Sequence, residues 1–415
     1  MEYLRRTVDT ELDFLLKHVP AIAIDGPKGV GKTGTAQRRA DTAWYLDDAD
    51  VRAVVAADFS LSGAGEGTLL IDEWQRLPQV WDSVRRGVDN GASAGRFLLT
   101  GSATPVDAMG THSGAGRIIS LRMRPMAVHE RGVTEPTCSF KGIFRGEKEI
   151  GGATSLRVAD YAGLIVGSGF PAIAPQDPLL QELMLDSYLE RVIDRDINEQ
   201  GLEVRRPVAL RRWMRAYAAA TSTTTSYSRL LDATTGGDGS QPNQRTTSAY
   251  REHLSKIWLL DPVPGWVTEN NEIKRLQQSP KHHLTDPALA ARLLGLIASS
   301  LYSPSGAHMM GPLFESLCAL SLRVLAQACR ANVYHLRTNS GQREVDFIVE
   351  GPNREILGVE VKLAAAINDS DVRHLTWLRE QLPDRVVNLM VLTTGSQAYV
   401  RSDGIIVMPL ALLGL

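Results

Sequence analysis

Paired cysteines, long apolar runs and an excess of one charge are all scarce in this 415-residue chain. Its three cysteines, Cys138, Cys318 and Cys329, are scattered with no C-x-x-C spacing. That argues against a disulfide framework or a zinc site and fits a reducing cytoplasm. No apolar run approaches the ~18 residues of a membrane span. The amino end, Met1-Glu2-Tyr3-Leu4-Arg5-Arg6, opens a charged amphipathic segment rather than a secretion leader. The net charge of −2 gives no global pull toward nucleic acid, so any such contact must come from a local patch. A soluble, cytoplasmic protein of two to four domains is expected.

What is present is a phosphate-binding pattern. Gly26-Pro27-Lys28-Gly29-Val30-Gly31-Lys32-Thr33 reads G-x-x-x-x-G-K-T, after the strand-like run Ala21-Ile22-Ala23-Ile24 and before a helix predicted over 33–39. Glycines there let successive backbone N–H groups turn inward around an anion, and the helix start adds partial positive charge. Residues Gly26, Pro27, Lys28, Gly29, Val30, Gly31, Lys32, Thr33 and Gly34 are therefore the expected ATP contacts. Lys32 would reach the β- and γ-phosphates, and the Thr33 hydroxyl would ligate Mg²⁺.

Thr68-Leu69-Leu70-Ile71-Asp72-Glu73 ends an apolar run in two acids, like a Walker B strand with its carboxylates at the C-terminal edge of a sheet. Asp72 would hold Mg²⁺, and Glu73 would orient or deprotonate the attacking water. The run Arg96 to Ser102 ends in hydroxyls, so either Thr100 or Ser102 would sense the γ-phosphate. A crossover helix is expected over 80–88. Arg117, which leaves a Gly-rich stretch just before the strand-like Ile118-Ile119-Ser120-Leu121, is either a transition-state arginine, in cis or across an interface, or an ordinary surface residue.

GPKGVGKT, LLIDEWQRLP, FLLTGSATP and GRIISLRMRPMAVHE together resemble the bacterial and archaeal AAA-type ATPases that carry a C-terminal PD-(D/E)xK-like domain. The resemblance extends over nearly the whole chain and implies an ATPase with Mg²⁺. It matches Arg117 and Glu130 to positions that recur after the sensor strand. Gly34 departs from the pattern, where a second Thr is more usual.

Helices are expected over 179–197, 210–220, 226–233 and 246–258, with a break at Gly236-Gly237-Asp238-Gly239. Arg191 or Arg195 would contact nucleotide from a lid, or pair within their own helix. Three short helices followed by a hairpin-like 259–267 suggest a winged helix-turn-helix. Residues 201–275 hold eleven Lys/Arg against seven Asp/Glu, and Arg245 and Arg251 flank the candidate recognition helix. DNA is the candidate partner there, with a lid or protein contact as the alternative.

Toward the C-terminus, Glu344 to Val349 and Leu357 to Lys362 read as strands, with Asp346 opposite the face shared by Val345, Phe347 and Val349, and Glu360 and Lys362 on one face. That is the D…E-x-K arrangement of metal-dependent nucleases: Asp346 and Glu360 would bind a second divalent metal while Lys362 activates water. Glu315 matches an additional acid of the family.

The expected architecture is α/β, with a P-loop NTPase parallel-sheet core (1–135), a helical lid (136–205), a winged-helix-like part (206–275) and a PD-(D/E)xK-like domain (276–415). The expected function is an ATPase coupled to a nuclease-like, DNA-acting domain in defence, mobile-element or toxin biology. The alternative is an ATP-dependent switch that does not cut. A homo-oligomer or a protein partner is compatible with either, and no membrane is.

Overall fold

The computed structural model describes residues 3–102, 114–197, 206–234, 244–267, 279–338 and 342–415. The first part lays down α1 (Thr7–Leu16), β1 (Ala21–Asp25), α2 (Lys32–Gln37), β2 (Thr42–Tyr45), α3 (Ala49–Ala57), β3 (Leu69–Asp72), α4 (Gln79–Asp89), β4 (Phe97–Gly101) and β5 (Ile119–Arg122). The five strands form one parallel sheet in the order β2-β3-β4-β1-β5. Period-2 alternation divides its apolar residues between two cores. Ile22, Ile24, Leu70 and Leu98 pack with Leu12 and Ala36 on one face. Ala21, Ala23, Leu69, Ile71 and Leu99 pack with Val55, Val80 and Val84 on the other. A parallel sheet covered on both faces explains why these strands read as unbroken apolar runs. Register pairs Asp72 with Thr100 and Thr100 with Ile24, which brings the end of β3 with its carboxylates and the Thr100 hydroxyl to the edge where the Gly26 loop emerges.

The chain continues through β6 (Cys138–Ser139), α5 (Phe140–Phe144), α6 (Val158–Val166) and α7 (Pro178–Arg191), with α7 running into one π-helical turn, Val192–Asp196. Then come α8 (Pro207–Ala219), α9 (Tyr227–Ala233) and α10 (Gln244–Lys256). Asp177 and Ser226 cap α7 and α9 by accepting from Leu180 N and Arg229 N. The predicted break at 236–239 lies outside the described residues.

After α10 two short extended segments pair antiparallel, Leu260 with Leu284 and Val263 with Lys281. This pairing runs across residue 276. The first segment also joins the next sheet, Gly265 pairing with His335. The hairpin-like unit is thus fused to the C-terminal part rather than projecting as a free wing.

The remaining elements are α11 (Pro287–Leu294), α12 (Met310–Ala328), β7 (Asn332–Arg337), β8 (Glu344–Glu350), β9 (Ile356–Lys362), α13 (Asp369–Gln381), β10 (Val386–Thr393), β11 (Tyr399–Val400), β12 (Ile406–Pro409) and β13 (Leu413–Gly414). The six-stranded sheet runs β11-β12-β10-β9-β8-β7. β7, β8 and β9 form an antiparallel meander, and α13 is the crossover that makes β10 parallel to β9. β13 pairs with β6, which ties residues 413–414 to 138–139.

One stretch, Ala307–Ala328, reaches the length and apolarity of a membrane span (22 residues, mean hydropathy 1.3), contrary to expectation. It is the central helix of the C-terminal part, with 78% of its apolar window buried, and two charges, Glu315 and Arg323, interrupt its sequence.

Candidate functional site

The Gly26 loop is built for an anion and is braced from behind. Gly31 caps α2 at φ 105°, a backbone state glycine adopts without strain. Lys32 is buried and donates to the Gly26 and Pro27 carbonyls, 2.8 Å each, so its ammonium rests inside its own loop. Burial lowers its pKa to about 8, against the pull of Glu73 and Asp72. Arg6, also buried, donates to Val30 O (3.1 Å), Arg124 O (2.7 Å) and Glu130 Oε2 (3.1 Å). Glu130 accepts in addition from Thr7 N and Ala127 N. Burial penalises the Glu130 charge, yet Arg6, His129 and these amides keep its carboxyl below the ordinary range. Glu130 is therefore a brace for the loop. Arg6 gave no sequence signal, because nothing local marks a buried arginine 20 residues ahead of a motif.

A Cβ at Gly26 would stand 2.2 Å from the Met123 carbonyl oxygen, so loop and β5 exit touch backbone to backbone. Gly26→Ala should cost about 1–3 kcal/mol through forced displacement and weaken ATP binding at least about tenfold. Calorimetry of the folded variant checks this.

The carboxylates follow. Thr33 Oγ1 donates to Asp72 Oδ1 at 2.8 Å, and Thr100 Oγ1 donates to the same oxygen. A hydroxyl and a carboxylate at this spacing are hard oxygen donors that fit Mg²⁺, with phosphate and water oxygens completing the shell. Glu73 occupies the left-handed region (φ 53°), a strained setting for a non-glycine residue beside a site. Its Oε2 accepts from Gln75 Nε2 (2.5 Å) and Ser102 Oγ (3.2 Å). Thr100 and Ser102 thus face different acids, one donating to Asp72 and the other to Glu73. Gln75, two residues beyond the acid, carries no sequence signal of its own. Asp25, at the end of β1, has its pKa pushed up to about 6 by burial, against Ser120, Lys32 and Arg122.

Lys28, Arg117 and Gly34 each meet a different part of the molecule. Lys28 pairs with Asp196 at 2.5 Å, so its ammonium ties the loop to the π-helical turn that ends α7. Arg117 precedes β5 at the edge of the sheet opposite the loop, since Ile119 pairs with Ile22 while Asp25 pairs with Arg122. It pairs with Asp89 at 2.9 Å and is about half exposed. Gly34 has open space where a side chain would be and lines a cavity of about 530 Å³ with Tyr3, Leu4, Met123 and Pro171.

From the same sheet edge a second ionic centre reaches across the molecule. Asp261 is buried and pairs with Arg122 (3.1 Å), Arg124 (2.9 Å) and Arg323 of α12. Burial penalises its charge, but the three guanidiniums hold its carboxyl far below the usual range.

In the C-terminal sheet the strict alternation expected for β8 fails. Val345 and Ile348 pack with α13, whereas Phe347 and Val349 pack with α12. Regular pairing with β9 stops at Phe347–Val359, and Asp346 Oδ2 accepts from Val361 N at 3.0 Å in place of the next rung. Asp346 therefore lies between two groups. On one side Lys281 Nζ sits 2.9 Å from Asp346, 2.8 Å from Glu315 and 3.4 Å from Glu344. On the other, Lys362 Nζ pairs with Glu360 at 3.2 Å. Burial and Asp346 push Glu360 well above the carboxylate range, and burial with Asp346 raises Glu315 to about 8 against the pull of Lys281. Among the described residues no group of three or more His, Cys, Asp or Glu is disposed to hold a metal ion. The expected metal set Glu315, Asp346 and Glu360 is thus drawn together in part, but an ammonium stands among its members. Lys281 carried no sequence signal.

A glycine-lined amide cradle closed by Lys32, with Thr33 and Asp72 facing each other and a second acid one residue on, defines a P-loop nucleoside-triphosphate-binding domain. It is, more narrowly, an AAA-type ATPase domain: the family model described as AAA domain matches residues 18–131. Two models of domains of unknown function, DUF8612 and DUF4143, match residues 158–300 and 310–413. Uncharacterized proteins of Mycobacterium tuberculosis and Mycobacterium bovis are each 24% identical over 416 residues, spanning 98% of this chain and 83% of theirs. Among solved structures, a Walker-type ATPase of Pyrococcus abyssi is similar at TM-score 0.39 and 13% identity, over 69% of this chain and 94% of that one. A RuvB mutant of Thermotoga maritima gives 0.28 and 18%, over 65% and 94%.

Proposed function

We propose that this chain is a Mg²⁺-dependent ATPase whose nucleotide state is relayed to a PD-(D/E)xK-like C-terminal module. The observation that carries the first half is the convergence of Lys32, Thr33, Asp72 and Glu73 on one sheet edge. Lys32 leaves the Gly26 and Pro27 carbonyls for the β/γ-phosphates, and the γ-phosphate draws on Thr100. Thr33 and Asp72 would hold Mg²⁺, which would supply charge neutralisation to the phosphates. Glu73, released from Gln75 and Ser102, orients the attacking water and takes its proton. The cavity beside Gly34 has the size and apolar walls for the base. Phosphate release from ATP by the purified chain, dependent on Mg²⁺, tests the reading.

A protonic signature should accompany binding. Lys32 titrates near pH 8 in the empty site and becomes fully charged against phosphate. ATP binding at pH 8 should therefore take up about half a proton, and affinity should fall as pH rises above 8. Calorimetry in buffers of different ionisation enthalpy measures the uptake. Lys32→Arg, which keeps its proton, should abolish it.

The relay runs through the β5 exit. Met123 N donates to Asp25 O at the loop base, while the flanking Arg122 and Arg124 hold Asp261 together with Arg323 of α12. The meander β7–β9, the α13 crossover and the order Asp346…Glu360-x-Lys362 support the PD-(D/E)xK-like reading of the module. The basic surplus of residues 201–275 and exposed Arg245 support DNA as its partner in the cytoplasm. Arg117 would reach a triphosphate only on a neighbouring copy. Of the two outputs, a non-cutting switch is favoured over a nuclease by the ammonium of Lys281. Incubation with single-stranded DNA, duplex DNA and RNA, with Mg²⁺ or Mn²⁺ and with or without ATP, separates them: cleavage lost in Asp346→Ala would establish the nuclease.

A further inference from the structure

We infer that Lys281 is a resident cation of the C-terminal acidic cluster, standing where a divalent metal would sit among Glu315, Glu344 and Asp346. This does not depend on the ATPase reading, since none of these residues touches the phosphate loop. It concerns what closes a site that the order of acids alone would open.

The geometry is that of an ammonium site. Nζ lies 2.8 Å from Glu315, 2.9 Å from Asp346 and 3.4 Å from Glu344, and the Lys281 side chain is only 2% exposed. Mg²⁺ needs oxygens at about 2.0–2.1 Å in a near-octahedral shell. To bind it, the carboxylates would have to close in and the ammonium would have to leave. Leaving is opposed on every side. The Lys281 backbone exchanges two 2.9 Å hydrogen bonds with Val263. Its neighbour His282 is held by Ser222 N, Thr223 O and Thr225 O. The ammonium also stands 5.8 Å from the centre of the Phe347 ring. A buried ammonium without its three carboxylates would be stranded.

The source of the residue matters as well. Lys281 comes from the hairpin-like segment that follows the helices α8 to α10, while its acids come from α12 and β8. The lysine therefore closes the cluster in trans to the D…E-x-K segment, and the module is sealed by the part that leads into it. The other half, Glu360 with Lys362, retains one buried carboxylate oxygen, Glu360 Oε1, without a hydrogen-bond partner.

Mn²⁺ binding to the full chain without nucleotide, followed by electron paramagnetic resonance, tests the assignment. The natural protein and Asp346→Asn should bind equal amounts of Mn²⁺, because the cluster takes none. Lys281→Met vacates the position, so it should gain one Mn²⁺ at least about tenfold tighter than any background, and Lys281→Met with Asp346→Asn should lose that gain. Mn²⁺ should also raise the melting temperature of Lys281→Met and leave that of the natural protein unchanged. Stoichiometric Mn²⁺ in the natural protein that disappears in Asp346→Asn overturns the inference, and so does a folded Lys281→Met that gains none. Should Lys281→Met fail to fold, the comparison of the natural protein with Asp346→Asn decides alone.

Discussion

Glu73→Gln should bind ATP as the natural protein does and hydrolyse it roughly 10²–10⁴-fold more slowly. The substitution keeps the size of the side chain and its contacts to Gln75 and Ser102, but an amide cannot take the proton of water. Lys32→Ala should lose binding and turnover together, because it removes the buried ammonium that rests on the Gly26 and Pro27 carbonyls. Phosphate release at saturating ATP, beside a calorimetric titration, distinguishes the two. Retained turnover in Glu73→Gln would place the general base elsewhere, and Asp25, raised to about 6, would be the next carboxyl to test.

Asp261→Asn should be the most damaging single change outside the nucleotide site. It leaves Arg122, Arg124 and Arg323 facing one another around a neutral amide, and breaking a buried ion cluster by removing one partner costs about 3–5 kcal/mol. The carboxyl is held far below its unfolded pKa. Its contribution is therefore fully present above about pH 4 and is lost only as pH falls toward that depressed value. The natural protein should thus lose this stabilisation only in strong acid, and Asp261→Asn should lack it at neutral pH. Hydrogen exchange over 122–124 and α12 is the appropriate measurement, because a chain of several parts need not unfold in one step. Unchanged protection in those segments would reduce the Asp261 cluster to a bystander.

What the sequence conveyed was what lies close together along it. The loop Gly26 to Thr33 is contiguous, so strand, glycines and lysine declare themselves within about a dozen residues. Leu69 to Glu73 carries its meaning in a single run. The helices α8, α9 and α10 kept their apolar spacing, and the second acid of the Walker-type strand was evident beside the first. The rest depends on residues that meet across separations from 34 to 137 positions. Lys281 stands in a short polar stretch with no periodicity. Asp261 follows two leucines and looks like the end of a strand. Arg6 is one of a charged pair near the amino end. Each acquires its role from a partner on another element, and one-dimensional patterns do not encode such meetings. Asp346 failed differently: period-2 logic put it opposite Phe347, but its carboxylate replaces a rung of the ladder, and both residues turn toward α12.

The seam between the matched segments has a practical consequence for anyone dividing this chain. A fragment opening at residue 310 would carry Glu315, Glu344 and Asp346 with their counter-ion left on the discarded piece. It would also lack Asp261, stranding Arg323, and Gly265, whose pairing covers one border of β7. Such a fragment should precipitate or bind adventitious metal, and nuclease activity measured on it would report the cut rather than the whole protein.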